Sequence, residues 1–136
     1  MKIDKSALLS DAIKARGNSY CPYSNISVGA ALLTKSGKVY LGNNIENASY
    51  SPTICAERVA FFKAISEGER DFEAIAIAGG KNGEPSEANF PPCGVCRQVM
   101  GEFCDSDFLV IWGDRESITE RTLKEILPDG FNKDNL

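Results

Sequence analysis

Ala74-Ile75-Ala76-Ile77-Ala78 is an unbroken apolar run with no polar alternation, and it limits the fold more than any other stretch of the chain. A strand with one wet face alternates apolar and polar side chains. A continuous run of this length predicts a strand covered on both faces, as in a sheet held between helices. Phe108 to Trp112 repeats the pattern.

The neighbouring segments agree with that architecture. Ala7, Leu8, Ala12, Ile13 and Ala15 fall at helical spacing, predicting a helix over 5–16 that stops at Gly17. Two apolar runs, 28–34 and 39–42, flank Lys35-Ser36-Gly37-Lys38 and predict an antiparallel hairpin. Helices are expected over 55–68 and 93–104, with a short last one over 123–127 before Pro128. Residues 81–90, rich in Gly, Pro, Asn and Ser, read as a loop. Buried strands alternating with helices indicate a layered α/β domain with a partly parallel sheet. With 136 residues, no internal repeat and no linker, a single domain over 1–136 is expected.

The chain holds five cysteines and no histidine. Serine–histidine and cysteine–histidine nucleophiles are thereby excluded, and a zinc site would rest on thiolates and carboxylates. Pro92-Cys93-Gly94-Val95-Cys96 offers two thiolates from one turn at a helix start, where the dipole favours thiolate. Taken alone, such a pair equally fits a redox couple or half of a structural zinc finger. Cys55 also stands at a helix start, and Glu57 follows it by two residues. Three sulfurs would leave a tetrahedral zinc one open corner, the mark of a catalytic site. Glu57 is placed to face that corner as a proton shuttle without binding the metal.

Charge narrows the substrate. The net charge is −4 and the 15 Lys and Arg are scattered among acids, so no basic stripe for nucleic acid is visible. No apolar run approaches the roughly 20 residues of a membrane span. Met1 to Lys5 does not lead into a signal-like apolar core, so a cytoplasmic location is expected.

With these motifs in place, the chain resembles the small, homotetrameric, three-cysteine cytidine deaminases along nearly its whole length. The matching segments are Pro22-Tyr23-Ser24, Val28-Gly29-Ala30-Ala31-Leu32, Gly42-Asn43-Asn44-Ile45-Glu46-Asn47-Ala48-Ser49-Tyr50, Cys55-Ala56-Glu57-Arg58 and Pro92-Cys93-Gly94-Val95-Cys96-Arg97-Gln98. The resemblance implies a three-layer α/β/α fold around a mixed, partly parallel sheet of about five strands. It further implies one Zn²⁺ per subunit on Cys55, Cys93 and Cys96, with Glu57 as the general acid and base. The implied reaction is hydrolysis of cytidine, deoxycytidine or both by a zinc-bound hydroxide, in pyrimidine salvage.

The same resemblance assigns further roles. Three thiolates outweigh a zinc dication, and Arg58 is expected to offset the excess, with Arg97 as the second candidate. Asn44 and Glu46 would grip the ribose, chiefly its 3′-hydroxyl, and the backbone of Ala56 would read the base edge. Ile26 stands where relatives often carry a stacking phenylalanine. Phe131 and Tyr50 would come from neighbouring subunits, so that active sites are shared in a homotetramer. Cys21 and Cys104 are expected to pack as small apolar residues. Three rivals stay open at this stage: a deaminase of another cytosine nucleoside such as blasticidin S, a polynucleotide deaminase, and a non-catalytic zinc-stabilised protein with a fourth ligand.

Overall fold

The computed structural model describes residues 2–136. Asp4 caps the first helix, α1 (Lys5–Ala15), by accepting from the Ala7 N–H at 3.0 Å. A 3-10 turn, Arg16–Asn18, leads on towards β1 (Ile26–Thr34), which pairs antiparallel with β2 (Val39–Asn43). Then follow α2 (Ala56–Ser66), β3 (Phe72–Lys81), α3 (Gly94–Phe103), β4 (Leu109–Gly113), β5 (Ile118–Thr122) and α4 (Leu123–Ile126).

The strands form one sheet in the order β2-β1-β3-β4-β5. β3 and β4 are parallel, and every other neighbouring pair is antiparallel. A parallel pair needs a crossover, and α3 supplies it. The sheet is therefore mixed, as the buried runs predict.

Alternate side chains of the sheet feed two separate cores. Ala31, Leu33, Ala74, Ala76, Ala78 and Ile111 pack with Leu8, Leu9 and Ala12 of α1. Ala30, Leu32, Ile75, Ile77, Val110 and Trp112 face the other way, against Ala60, Phe61, Cys96 and Met100 of α2 and α3. Ala74 to Ala78 are fully buried, which explains why this central stretch of β3 carries no polar residue at either face. The result is the α/β/α sandwich.

Two glycines set how closely the helices approach the hairpin. A Cβ on Gly29 would lie 1.9 Å from the Ala12 carbonyl oxygen, and one on Gly42 would lie 2.2 Å from that of Ala56. The second contact presses the first turn of α2 onto β2, and so fixes the height of Cys55 above the sheet. Gly42→Ala is expected to destabilise the fold by about 2–3 kcal/mol through overpacking, read as a fall of several degrees in Tm.

β5 occupies a segment where the sequence pattern predicts no strand. Ile-Thr-Glu-Arg-Thr is largely polar on both faces because β5 is an edge strand, paired to β4 along one edge and with no strand along the other. The other expected elements agree to within three residues, with β4 running one residue on, to Gly113, and α2 beginning after Cys55, its cap.

Candidate active site

The site grows from two helix starts. Cys55 is the N-cap of α2 and Cys93 the N-cap of α3, with Cys96 in the first turn of α3. Neither cap side chain is spent on the helix backbone, so both sulfurs are free to turn outward. The sulfurs of Cys55, Cys93 and Cys96 all lie within 4.8 Å of one another, with Cys96 buried, Cys55 half-buried and Cys93 exposed. Two positive dipole ends converge on them.

The donor set fits zinc. With Zn–S bonds of about 2.3 Å, a tetrahedron has an edge of about 3.8 Å, and the Cys55 and Cys93 sulfurs stand 3.8 Å apart. Thiolates are also the ligand type that favours this borderline-soft ion. Hydrogen bonds from Cys96 and Arg58 pull the Cys55 thiol down to about 5. The same sharing with Cys55 pushes the Cys96 thiol far up, so the pair holds one proton that a cation would displace. Among the described residues no fourth Cys, Asp or Glu joins the cluster.

Glu57, in the first turn of α2, is 4% exposed yet stays outside that ligand group. Its carboxylate reaches Cys96, and burial pushes it up to about 7, with the Cys55 charge acting in the same direction. A carboxyl balanced between its two forms near neutrality suits proton transfer.

Of the two arginines, Arg58 stands at the sulfurs. Its Nη2 donates to Cys55 Sγ at 3.4 Å, and its Nε is buried without a partner. Arg97, the second candidate, is occupied elsewhere: its Nε donates to the Pro92 carbonyl at 2.8 Å and its Nη1 to that of Ile126 at 3.0 Å. It ties the approach to α3 to the end of α4.

A short backbone pairing brings in the sugar candidates. Ile45 and Ile54 exchange hydrogen bonds of 3.1 and 3.0 Å as an antiparallel bridge, which sets Asn44 level with Cys55 and Glu46 level with Thr53. The Asn44 amide is buried and already partly engaged. Its oxygen accepts from Val28 N–H at 2.8 Å and its nitrogen donates to the Ile26 carbonyl at 2.8 Å. One lone pair and one amide hydrogen stay free. Glu46 Oε1 accepts from the Tyr23 and Ser24 N–H groups at 2.9 and 3.1 Å, and the Ser24 hydroxyl bonds Oε2.

Glu46 lines a cavity of about 310 Å³ with Tyr23, Ser24, Tyr50 and Thr53. Tyr50 is 71% exposed and meets Tyr23 edge-on at 6.0 Å, so its ring stands at the cavity mouth rather than in the core. Ile26 borders a neighbouring cavity of about 280 Å³ with Lys81, Glu87 and Phe90, and Ser24 lines both spaces. The 81–90 loop thus closes one side of this region, held by Arg16, whose guanidinium donates to the carbonyls of Lys81 and Glu84. The Ala56 N–H, at the start of α2, finds no acceptor among the described residues.

Phe131 is the one candidate lying apart within the chain. It is 60% exposed on a groove with Cys104, Leu123 and Leu127, and its carbonyl accepts from Gln98 at 2.8 Å. Cys21 is buried, and burial raises its thiol pKa, as burial also does for Cys104. Residue type alone gives Ser24 no role; its signal in the sequence is its place in Pro22-Tyr23-Ser24.

The zinc-binding region of cytidine and deoxycytidylate deaminases matches residues 2–111. The chain belongs to this deaminase family. A cytidine deaminase of Halalkalibacterium halodurans is 48% identical over 135 residues, covering 98% of each chain. One from Sporosarcina psychrophila is 45% identical, covering 98% of this chain and 96% of its own. The crystal structure of the cytidine deaminase from Burkholderia pseudomallei superposes with a TM-score of 0.84 at 41% identity, covering 95% of this chain and 100% of that one. In a zinc deaminase of this kind, Cys55, Cys93 and Cys96 form the metal-binding group. No helix of the chain is long and apolar enough to cross a membrane.

Proposed function

We propose that this protein hydrolyses cytidine, deoxycytidine or both to the corresponding uracil nucleoside and ammonia, as a pyrimidine salvage enzyme. The observation that carries the proposal is Glu57, a buried carboxyl beside three clustered sulfurs and outside their ligand group. The chemistry a zinc ion supplies on Cys55, Cys93 and Cys96 is the acidification of water for attack.

Glu57 takes a proton from the attacking water and delivers it to N3 of the ring. As the water oxygen bonds to C4, the ring carbon becomes tetrahedral. The second water proton reaches the amino nitrogen by way of Glu57, the C4–N4 bond breaks, and ammonia leaves. Arg58 offsets the surplus negative charge of the sulfurs, which would otherwise weaken the acidifying effect on water.

Asn44 and Glu46 hold the sugar, an amide and a carboxylate sharing one hydroxyl as donor and acceptor. A pocket built on such a match rejects analogues that lack the hydroxyl far better than an apolar wall can. The free N–H of Ala56 reads the base edge, and Ile26 forms an aliphatic wall for the ring. Tyr50 and Phe131, both exposed on a single chain, complete the pockets of neighbouring subunits in a homotetramer. We place the enzyme in the cytoplasm as a single domain over 1–136, acting on free nucleosides rather than nucleic acid. The net charge of −4 supports the last point.

The test is a zinc-replete assay that follows loss of cytidine absorbance together with ammonia release. Cytidine or deoxycytidine is expected to react, with blasticidin S and single-stranded polynucleotide left intact. Absence of ammonia from both nucleosides would overturn the proposal.

A further inference from the structure

We infer that Ser24 is a positioning residue for nucleoside binding: its hydroxyl fixes the orientation of the Glu46 carboxylate, and so the direction of the hydrogen bonds a sugar hydroxyl makes. The inference rests on Glu46 holding the sugar.

The donor and acceptor inventory leaves the Ser24 hydroxyl one orientation. Its oxygen accepts from the Ile26 N–H at 3.0 Å. Its only proton therefore points to Glu46 Oε2, an oxygen that only accepts when ionised. Glu46 Oε1 is filled by the amides of Tyr23 and Ser24. One lone pair is left, on Oε2, beside the cavity that Ser24 and Glu46 both line. These bonds hold the Glu46 carboxyl below its usual range, Ser24 contributing most, so it stays an acceptor.

Ile26 joins this arrangement to the second sugar candidate. Its N–H serves Ser24, while its carbonyl accepts from Asn44 Nδ2 at 2.8 Å. The start of β1 thereby holds the amide directly and the carboxylate through Ser24, and Glu46 cannot turn without breaking its bonds to Tyr23 and Ser24. A sugar hydroxyl entering between them donates to Glu46 and accepts the spare amide hydrogen of Asn44. Free to rotate, the carboxylate would lose that preset polarity, and binding would have to restore it.

The experiment compares steady-state kinetics of wild type, Ser24→Ala, Ser24→Thr and Glu46→Gln on cytidine and on 3′-deoxycytidine, with zinc content measured for each. Ser24→Ala is expected to raise KM for cytidine about tenfold while kcat stays within about twofold, the pattern of lost uniform binding. Ser24→Thr, which keeps the hydroxyl, restores the wild-type KM. On 3′-deoxycytidine, wild type and Ser24→Ala converge, because the hydroxyl that Glu46 holds is missing. A wild-type KM in Ser24→Ala, or an equal loss on both substrates, overturns the positioning role while the sugar assignment survives through Glu46→Gln. An unchanged KM in Glu46→Gln removes the sugar assignment itself.

Discussion

Glu57→Gln protein is expected to carry its full zinc and to deaminate cytidine at least about a thousandfold more slowly than wild type. The substitution keeps the size and shape of a side chain that is 4% exposed, so the packing of α2 on the sheet is undisturbed. It removes a carboxylate outside the ligand group that can accept a proton, hold it in a low-dielectric pocket and pass it on. Burial has already brought the carboxyl to about 7, where giving and taking a proton are nearly balanced. An amide has neither ability. Because Glu57 is not among the clustered ligands, metal content separates the two explanations for a dead enzyme. Zinc measured by atomic absorption should remain near one ion per chain. A Glu57→Gln enzyme with near-normal turnover would remove Glu57 from the chemistry.

Cys96→Ala has the opposite signature, with metal and activity lost together. Cys96 is fully buried in the first turn of α3, and alanine there leaves no donor atom where a thiolate stood. Two sulfurs remain, one of them exposed, and zinc affinity should fall by several orders of magnitude. The thermal readout follows from linkage. At a thousandfold excess of free zinc over its Kd, binding stabilises the native state by about 4.1 kcal/mol. In a chain of this size each kcal/mol is worth roughly 3 °C. Stripping wild-type protein with a chelator is therefore expected to lower Tm by on the order of 10 °C. Cys96→Ala protein should melt near the stripped value and show no response to chelator. An equal chelator response in both proteins would place the metal elsewhere.

Much of this arrangement was legible in the sequence because it rests on strong local signals. Ala74 to Ala78 suits a strand covered on both faces, and the glycine and proline boundaries around α2 and α3 put Cys55 and Cys93 at helix starts. β5 was invisible for the converse reason, since an edge strand with a polar outer face needs no apolar alternation. The choice between Arg58 and Arg97 was equally beyond local reading. Both follow a cysteine motif, and only the tertiary contacts show one guanidinium on a sulfur and the other on two carbonyls. Ser24 illustrates a third limit. Its partner Glu46 lies 22 residues away, and the bridge between Ile45 and Ile54 that sets the height of Glu46 leaves no periodic trace.

The two helix starts that share the metal are separated by 38 positions, with all of α2 and β3 between them. A nascent chain leaving the ribosome at about 5–20 residues per second exposes the first sulfur some seconds before the other two. Until the crossover has docked, that early thiol has no companions and can hold the ion only weakly. Full affinity for the ion is therefore reached only once the crossover has been synthesised and docked, which makes loading one of the last steps in the maturation of the chain.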